Sequence, residues 1–90
     1  MAVEREACVS NREGLHFRPI MQFVDLASKF RSKITVHVED RSADSRSAME
    51  LLMLVAVQGT RLKIVADGAD AQQAAEALVE LVNSGFNEPK

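Results

Sequence analysis

The part of this sequence best suited to chemistry is a histidine that immediately precedes a predicted helix start. In Gly14-Leu15-His16-Phe17-Arg18-Pro19, Pro19 fits the first turn of a helix, where its missing N–H costs nothing. His16 then lies where unpaired backbone N–H groups and the positive end of the helix dipole converge. Such a position suits a phosphate, and the guanidinium of Arg18 can hold phosphate oxygens. The hypothesis is that His16 carries a phosphoryl group.

His16 can attack phosphorus only if one of its ring nitrogens keeps a free lone pair. The helix dipole would hold the phosphate by only ~0.3–2 kcal/mol, which suits a carrier that must pass its cargo on. The alternatives are an ordinary loop histidine at position 16 and a solvated Arg18 paired with Glu13. Because a cation in the first turn of a helix is mildly unfavourable, phosphate contact is the better explanation for Arg18.

Ser47 begins a second predicted helix, and the start of this helix is also compatible with a phosphate. Ser47-Ala48-Met49-Glu50 has the serine and the glutamate of a capping box. Capping alone explains the serine, since an N-cap hydroxyl contributes about 1 kcal/mol. Phosphorylation of Ser47 would leave the helix intact, because negative charge is favourable at its N-terminus, but it would weaken the binding of acidic partners.

The hydrophobic pattern predicts the elements that position these residues. Alternation predicts four strands, and helical spacing predicts one helix at 17–30 and another after a second capping box at Asp70 and Gln73. The segment 47–57 is ambiguous, but its capping box and the Gln58-Gly59 stop favour a helix. The order βαββαβα predicts an α+β open-faced sandwich, with a four-stranded antiparallel sheet and helices on one face. The four strands are expected at 6–10, 33–39, 42–45 and 61–66.

Composition predicts one small domain over residues 1–90. The net charge of −2 lacks the basic excess of a nucleic-acid-binding protein. The longest apolar run, 51–57, is too short to cross a membrane, and no signal peptide is evident. The single cysteine, Cys8, cannot form an internal disulfide, and His37 has no second metal ligand near it. We expect a cytoplasmic protein without membrane insertion, nucleic-acid partner or metal.

Three ordered motifs resemble those of the HPr family, the histidine-containing phosphocarrier proteins of the bacterial phosphotransferase system. The segment 14–19 resembles the family's phosphohistidine motif, and Arg46-Ser47-Ala48-Met49 resembles the motif that bears a regulatory serine. The third motif consists of Gly59, the alternating strand after it and the segment 66–71, and it resembles the third characteristic feature of the family. The segment 82–86 is similar to the nitrogen-related branch of the family.

The resemblance implies the βαββαβα fold and a phosphoryl carrier, without a cofactor, rather than an independent enzyme. His16 would accept a phosphoryl group from Enzyme I, on the ring nitrogen nearer the backbone, and donate it to a IIA-type acceptor in sugar transport. Arg18 would stabilise the phosphohistidine, and Ser47 would be the target of an HPr serine kinase. The alternative is a regulatory or nitrogen-branch protein whose phosphorylation state controls its partners. We expect a monomer.

The resemblance also implies a docking surface around the histidine. Exposed Met and Leu side chains suit a surface that accepts several partners. Ile20 fits the core as well, whereas Met21, Met49 and Leu52 match the buried periodicity less closely. Phe17 stands where the family usually has a small residue, and Glu50 where many relatives have Gly or Lys. The expected partner-binding residues are Phe17, Ile20, Met21, Met49, Leu52 and Met53.

Overall fold

A four-stranded antiparallel sheet organises the computed structural model, which describes residues 2–88. Its strands lie in the order β1-β4-β2-β3, and the chain alternates them with three α-helices, followed by a 3-10 turn at Gly85–Asn87. This confirms the α+β sandwich and the βαββαβα order. The strands are β1 (Ala2–Cys8), β2 (Lys33–Val38), β3 (Arg41–Asp44) and β4 (Arg61–Asp67), and the helices are α1 (Phe17–Ala27), α2 (Ala48–Leu52) and α3 (Ala71–Asn83).

Alternation along the strands gives the sheet one buried and one open face. Val36 and Ile64 are fully buried neighbours on the covered face, where α1 and α3 supply Phe23 and Leu78 to the core. Burying an aliphatic or aromatic side chain of this kind contributes about 1.5–3 kcal/mol. The open face carries charged cross-strand pairs, such as Lys63 Nζ with Glu4 Oε1 at 3.4 Å. No helix within residues 2–88 has the length and apolar character needed to cross a membrane.

Three elements differ most from the predictions in their boundaries. β1 begins at Ala2 rather than residue 6 and ends at Cys8, and α1 ends at Ala27 rather than residue 30. The largest difference is α2, which ends at Leu52, not near residue 57. Val55 has a positive φ of 52°, a conformation that cannot continue a right-handed helix.

The cap predicted at Ser47 is present, but only half of the capping box forms. The Ser47 hydroxyl accepts a hydrogen bond from Glu50 N at 3.2 Å. The Glu50 carboxylate accepts from Asp44 N at 3.0 Å rather than from the serine's own N–H, which donates to Asp44 O. Ser47 therefore caps α2, and Glu50 ties the helix to β3.

The capping box predicted at Asp70 is wrong. Asp70 makes no side-chain cap bond to α3; its carboxylate accepts from Arg31 N at 2.8 Å and from both the N–H and the hydroxyl of Ser32. These bonds, the Ser32 hydroxyl first among them, hold the pKa of Asp70 below its ordinary value. Asp70 therefore fixes the α1–β2 loop against the start of α3.

Candidate functional site

His16 is the N-cap residue of α1, as the sequence predicts. Its backbone is extended, and its carbonyl accepts the first helical hydrogen bond, from Ile20 N at 3.0 Å. The side chain caps nothing and is 40% exposed. Within residues 2–88, the N–H groups of Phe17 and Arg18 have no hydrogen-bond acceptor, and the first turn contains no acidic residue. The start of α1 therefore presents free donors beside an accessible imidazole, a setting that suits a phosphoryl group.

Gly14 holds the histidine loop against the segment that follows α2. Its φ is +72°, and a Cβ at this position would lie 2.7 Å from Ala56 O. Next to it, Leu15 N donates to the same carbonyl at 2.8 Å. Only glycine fits both the backbone angle and the close approach. This contact fixes the position of the histidine loop relative to the segment after α2.

Glu88 contacts the ring of His16. Its Oε1 lies 3.0 Å from His16 Nε2 and also accepts from Asn11 Nδ2 at 3.1 Å. The Glu88 side chain is only 8% exposed. The hydrogen bond with His16 is the main cause that holds the pKa of Glu88 below its ordinary value, with smaller contributions from Asn11 and from the positive charge of Arg18, against the opposing effect of burial. The group next to the imidazole is therefore an ionised carboxylate at neutral pH.

The side chain of Arg18 is exposed and makes no hydrogen bond or ion pair within residues 2–88. The alternative of a pair with Glu13 is therefore not found. Its charge nevertheless reaches the His16 site, because it contributes to lowering the pKa of Glu88. A guanidinium without a partner at this place can still bind an incoming anion.

An apolar groove lies beside the histidine, between the starts of α1 and α2. Exposed Phe17, Met49 and Leu52 line it together with Ala48. Ile20 lines the floor of the groove, where it is 1% exposed and also belongs to the core.

Two other predicted docking residues lie outside this groove. Met21 is half-buried on α1. Met53 is 68% exposed, but it lines a separate depression with Arg41, Ser42 and Glu50. Of the six predicted docking residues, the structure therefore brings Phe17, Met49 and Leu52 together around the groove, above Ile20.

Four residues of interest were missed by the sequence interpretation. Val55 and Val57, which follow α2, expose 67% and 61% of their surface. The sequence interpretation included both in one apolar run of a longer helix, and this pattern does not show that their side chains point outward. Asn11 and Glu88 complete the His16 site, yet both lie in irregular segments without periodicity. The sequence contains one indication that Glu88 is held in place. Gly85 lies just past the end of α3, and Phe86 follows it as a single aromatic residue, which the structure buries in the core.

The chain is similar to known proteins in both sequence and fold. Residues 3–84 match the family model described as "PTS HPr component phosphorylation site". The chain is 51% identical over 69 residues to phosphocarrier protein HPr of Haemophilus influenzae, covering 77% of this chain and 81% of that protein. It is 37% identical over 89 residues to phosphocarrier protein NPr of Proteus mirabilis, covering 98% and 99% respectively. The crystal structure of HPr-C-His from Thermoanaerobacter tengcongensis is similar with a TM-score of 0.92 at 38% identity, covering 98% of this chain and 99% of that one.

Proposed function

The chain belongs to the HPr family of phosphotransferase-system phosphocarriers, and from this premise we propose that His16 is its phosphorylated residue. The observation that carries the proposal is the exposed imidazole at the start of α1, next to the unpaired N–H groups of Phe17 and Arg18. A ring nitrogen attacks the phosphorus of a donor phosphohistidine, the N–P bond to the donor breaks, and its electron pair returns to the donor ring. The free N–H groups and the Arg18 guanidinium then bind the phosphoryl oxygens.

The donor is Enzyme I, itself charged by phosphoenolpyruvate, and the acceptor is a IIA-type protein of sugar transport, all in the cytoplasm. The apolar groove supports this role, because Phe17, Met49 and Leu52 offer an adaptable surface beside His16. The protein is a single domain that binds its partners as a monomer. It acts as a phosphoryl carrier rather than as an independent enzyme. Ser47, at the start of the helix that bears Met49, is the site at which a serine kinase would regulate docking.

A second candidate is a nitrogen-branch or regulatory protein whose phosphorylation state controls its partners. The similarity to NPr of Proteus mirabilis over nearly the whole of both chains favours it. The chemistry at His16 is the same in the two candidates, so they differ only in the acceptor that binds the groove. Phosphoryl transfer from the labelled protein to a sugar-specific IIA and to a nitrogen-branch IIA, compared at equal concentrations, separates them.

The test is phosphorylation by phosphoenolpyruvate and a cognate Enzyme I, followed by intact-mass measurement. We expect an added mass of one phosphoryl group, labile in acid and stable in base, as for a phosphorus–nitrogen bond. The chain has two histidines, which provide a matched pair of variants: His16→Ala should lose the adduct, and His37→Ala should keep it. Arg18→Ala should form the adduct more slowly. A wild-type protein that stays unmodified, or a His16→Ala variant that is still modified on histidine, would contradict the proposal.

A further inference from the structure

The carboxylate of Glu88 fixes which nitrogen of His16 carries a proton. A carboxylate only accepts hydrogen bonds, so at 3.0 Å from Glu88 Oε1 the Nε2 atom of His16 must be the donor. A neutral imidazole has a single N–H, and its lone pair is therefore on Nδ1. The side chain of Glu88 is more than nine-tenths buried in this contact, which sets it apart from an exposed and exchanging surface pair.

The chain reaches this contact through an uncommon backbone path. After α3, Gly85, Phe86 and Asn87 have positive φ values of 75°, 55° and 60°, and Glu88 N donates to Gly85 O at 2.9 Å. Phe86 is fully buried, so the turn is anchored in the core on the way to His16. Left-handed conformations are unfavourable for Phe and persist only where surrounding structure imposes them, often at functional sites.

Asn11 gives the carboxylate a second attachment on the histidine loop. Its side-chain amide, fully buried, donates both to Gly14 O at 2.7 Å and to Glu88 Oε1 at 3.1 Å. The loop that presents His16 and the tail that presents Glu88 are thus joined at one buried amide. The position of Glu88 is set from two directions, which is what a group that orients a reactive side chain requires.

We propose that Glu88 is a positioning residue for phosphoryl transfer, which holds the Nε2 proton of His16 throughout the cycle. This rests on the proposed function of His16. In the forward step Nδ1 forms the bond to phosphorus as the N–P bond of the donor breaks, while the proton stays on Nε2 and is hydrogen-bonded to Glu88; the carboxylate offsets the positive charge that develops on the ring. In the onward step a nucleophile of the acceptor forms its bond to phosphorus, the Nδ1–P bond breaks, and its electron pair stays on Nδ1. Because Nε2 has kept its proton, the ring leaves as neutral imidazole rather than as imidazolate.

The first test needs no phosphate. In ¹⁵N-labelled protein at a pH where the ring is neutral, the two imidazole nitrogen shifts report the tautomer directly. The wild type should show a protonated Nε2 and an unprotonated Nδ1. Glu88→Ala should move both shifts toward the values of a free, mixed-tautomer histidine, and Glu88→Gln, which keeps an acceptor oxygen, should restore much of the wild-type signature. Glu80→Ala removes an exposed glutamate of α3 and should leave it unchanged.

The second test is the rate of phosphoryl transfer from Enzyme I in the same four proteins. Loss of an orienting carboxylate should slow transfer by about tenfold or more in Glu88→Ala, with partial recovery in Glu88→Gln and none of the effect in Glu80→Ala. Unchanged shifts, or an unchanged or faster rate, in Glu88→Ala would overturn the role of Glu88. A wild-type protein that accepts no phosphoryl group would instead overturn the proposed function, and this inference with it.

Discussion

Replacing Val55 by glycine should stabilise the protein, although a Val to Gly change usually does the opposite. Val55 has a φ of 52°, and a left-handed backbone disfavours an L-residue by about 1–2 kcal/mol. Glycine removes this strain but loses about 0.5–1 kcal/mol through the greater freedom of the unfolded chain. The side chain is 67% exposed, so little burial is lost. With mid-range values the free energy of unfolding should therefore rise by about 0.75 kcal/mol, within a span of about 0–1.5 kcal/mol, and Tm by about 3–6 °C.

Val57 provides the matched control. It is 61% exposed, close to Val55 in this respect, and it does not have a positive φ. Val57→Gly has no strain to relieve, so it should lower the free energy of unfolding by about 0.5–1 kcal/mol. Urea and thermal denaturation measure both variants. Equal destabilisation of the two would refute the reasoning, because it would mean that the backbone at Val55 is not strained. A Val55→Gly protein that is more stable but binds Enzyme I less tightly would mean that the exposed valine is retained for docking.

Two further predictions concern acid stability and docking. Asp70 has a pKa below its ordinary value of 3.8 because it accepts hydrogen bonds from Ser32 and Arg31. The ionised carboxylate therefore stabilises the folded protein fully at pH values above 3.8, and this stabilisation is lost as the pH falls through the lowered pKa. Urea titrations should accordingly show Asp70→Asn less stable than wild type at neutral pH, with the difference shrinking on acidification, and a pH-independent difference would contradict this. Ser47→Asp should fold normally, since Asp is also a good N-cap, but should bind Enzyme I more weakly in a titration, because the new charge lies beside the groove. Ser42→Asp on β3 is the control, and unaltered binding by Ser47→Asp would count against a regulatory role.

The sheet and the start of α1 were predictable because their signals are local. Ile34, Val36 and Val38 alternate with more polar residues, and the sheet buries all three. Pro19 marks the first turn of α1 and leaves His16 as the N-cap residue. In both places the preference of each residue agrees with the fold, so a short stretch of sequence carries enough information.

The end of α2 was not predictable, because tertiary packing overrides the local pattern there. Leu54 and Ala56 are both buried, and Ala56 O accepts a hydrogen bond from Leu15 N. With its two neighbours held inward, Val55 is forced outward into a conformation that valine disfavours. Periodicity cannot indicate a left-handed valine, since the pattern of apolar residues continues through it.

The contact between His16 and Glu88 joins residues 72 positions apart, and it has a consequence for the energetics of a carrier. The free N–H groups of α1 attract a phosphoryl group by only ~0.3–2 kcal/mol. On the proposed function, the buried Glu88 carboxylate lies on the opposite side of the same ring, where it would offset the positive charge that the ring gains when Nδ1 bonds to phosphorus. The same contact would keep the proton on Nε2, so that the ring can leave phosphorus as neutral imidazole. The start of the helix and Arg18 would thus bind the phosphoryl oxygens, while Glu88 would act on the ring itself and ease both the formation and the breaking of the Nδ1–P bond.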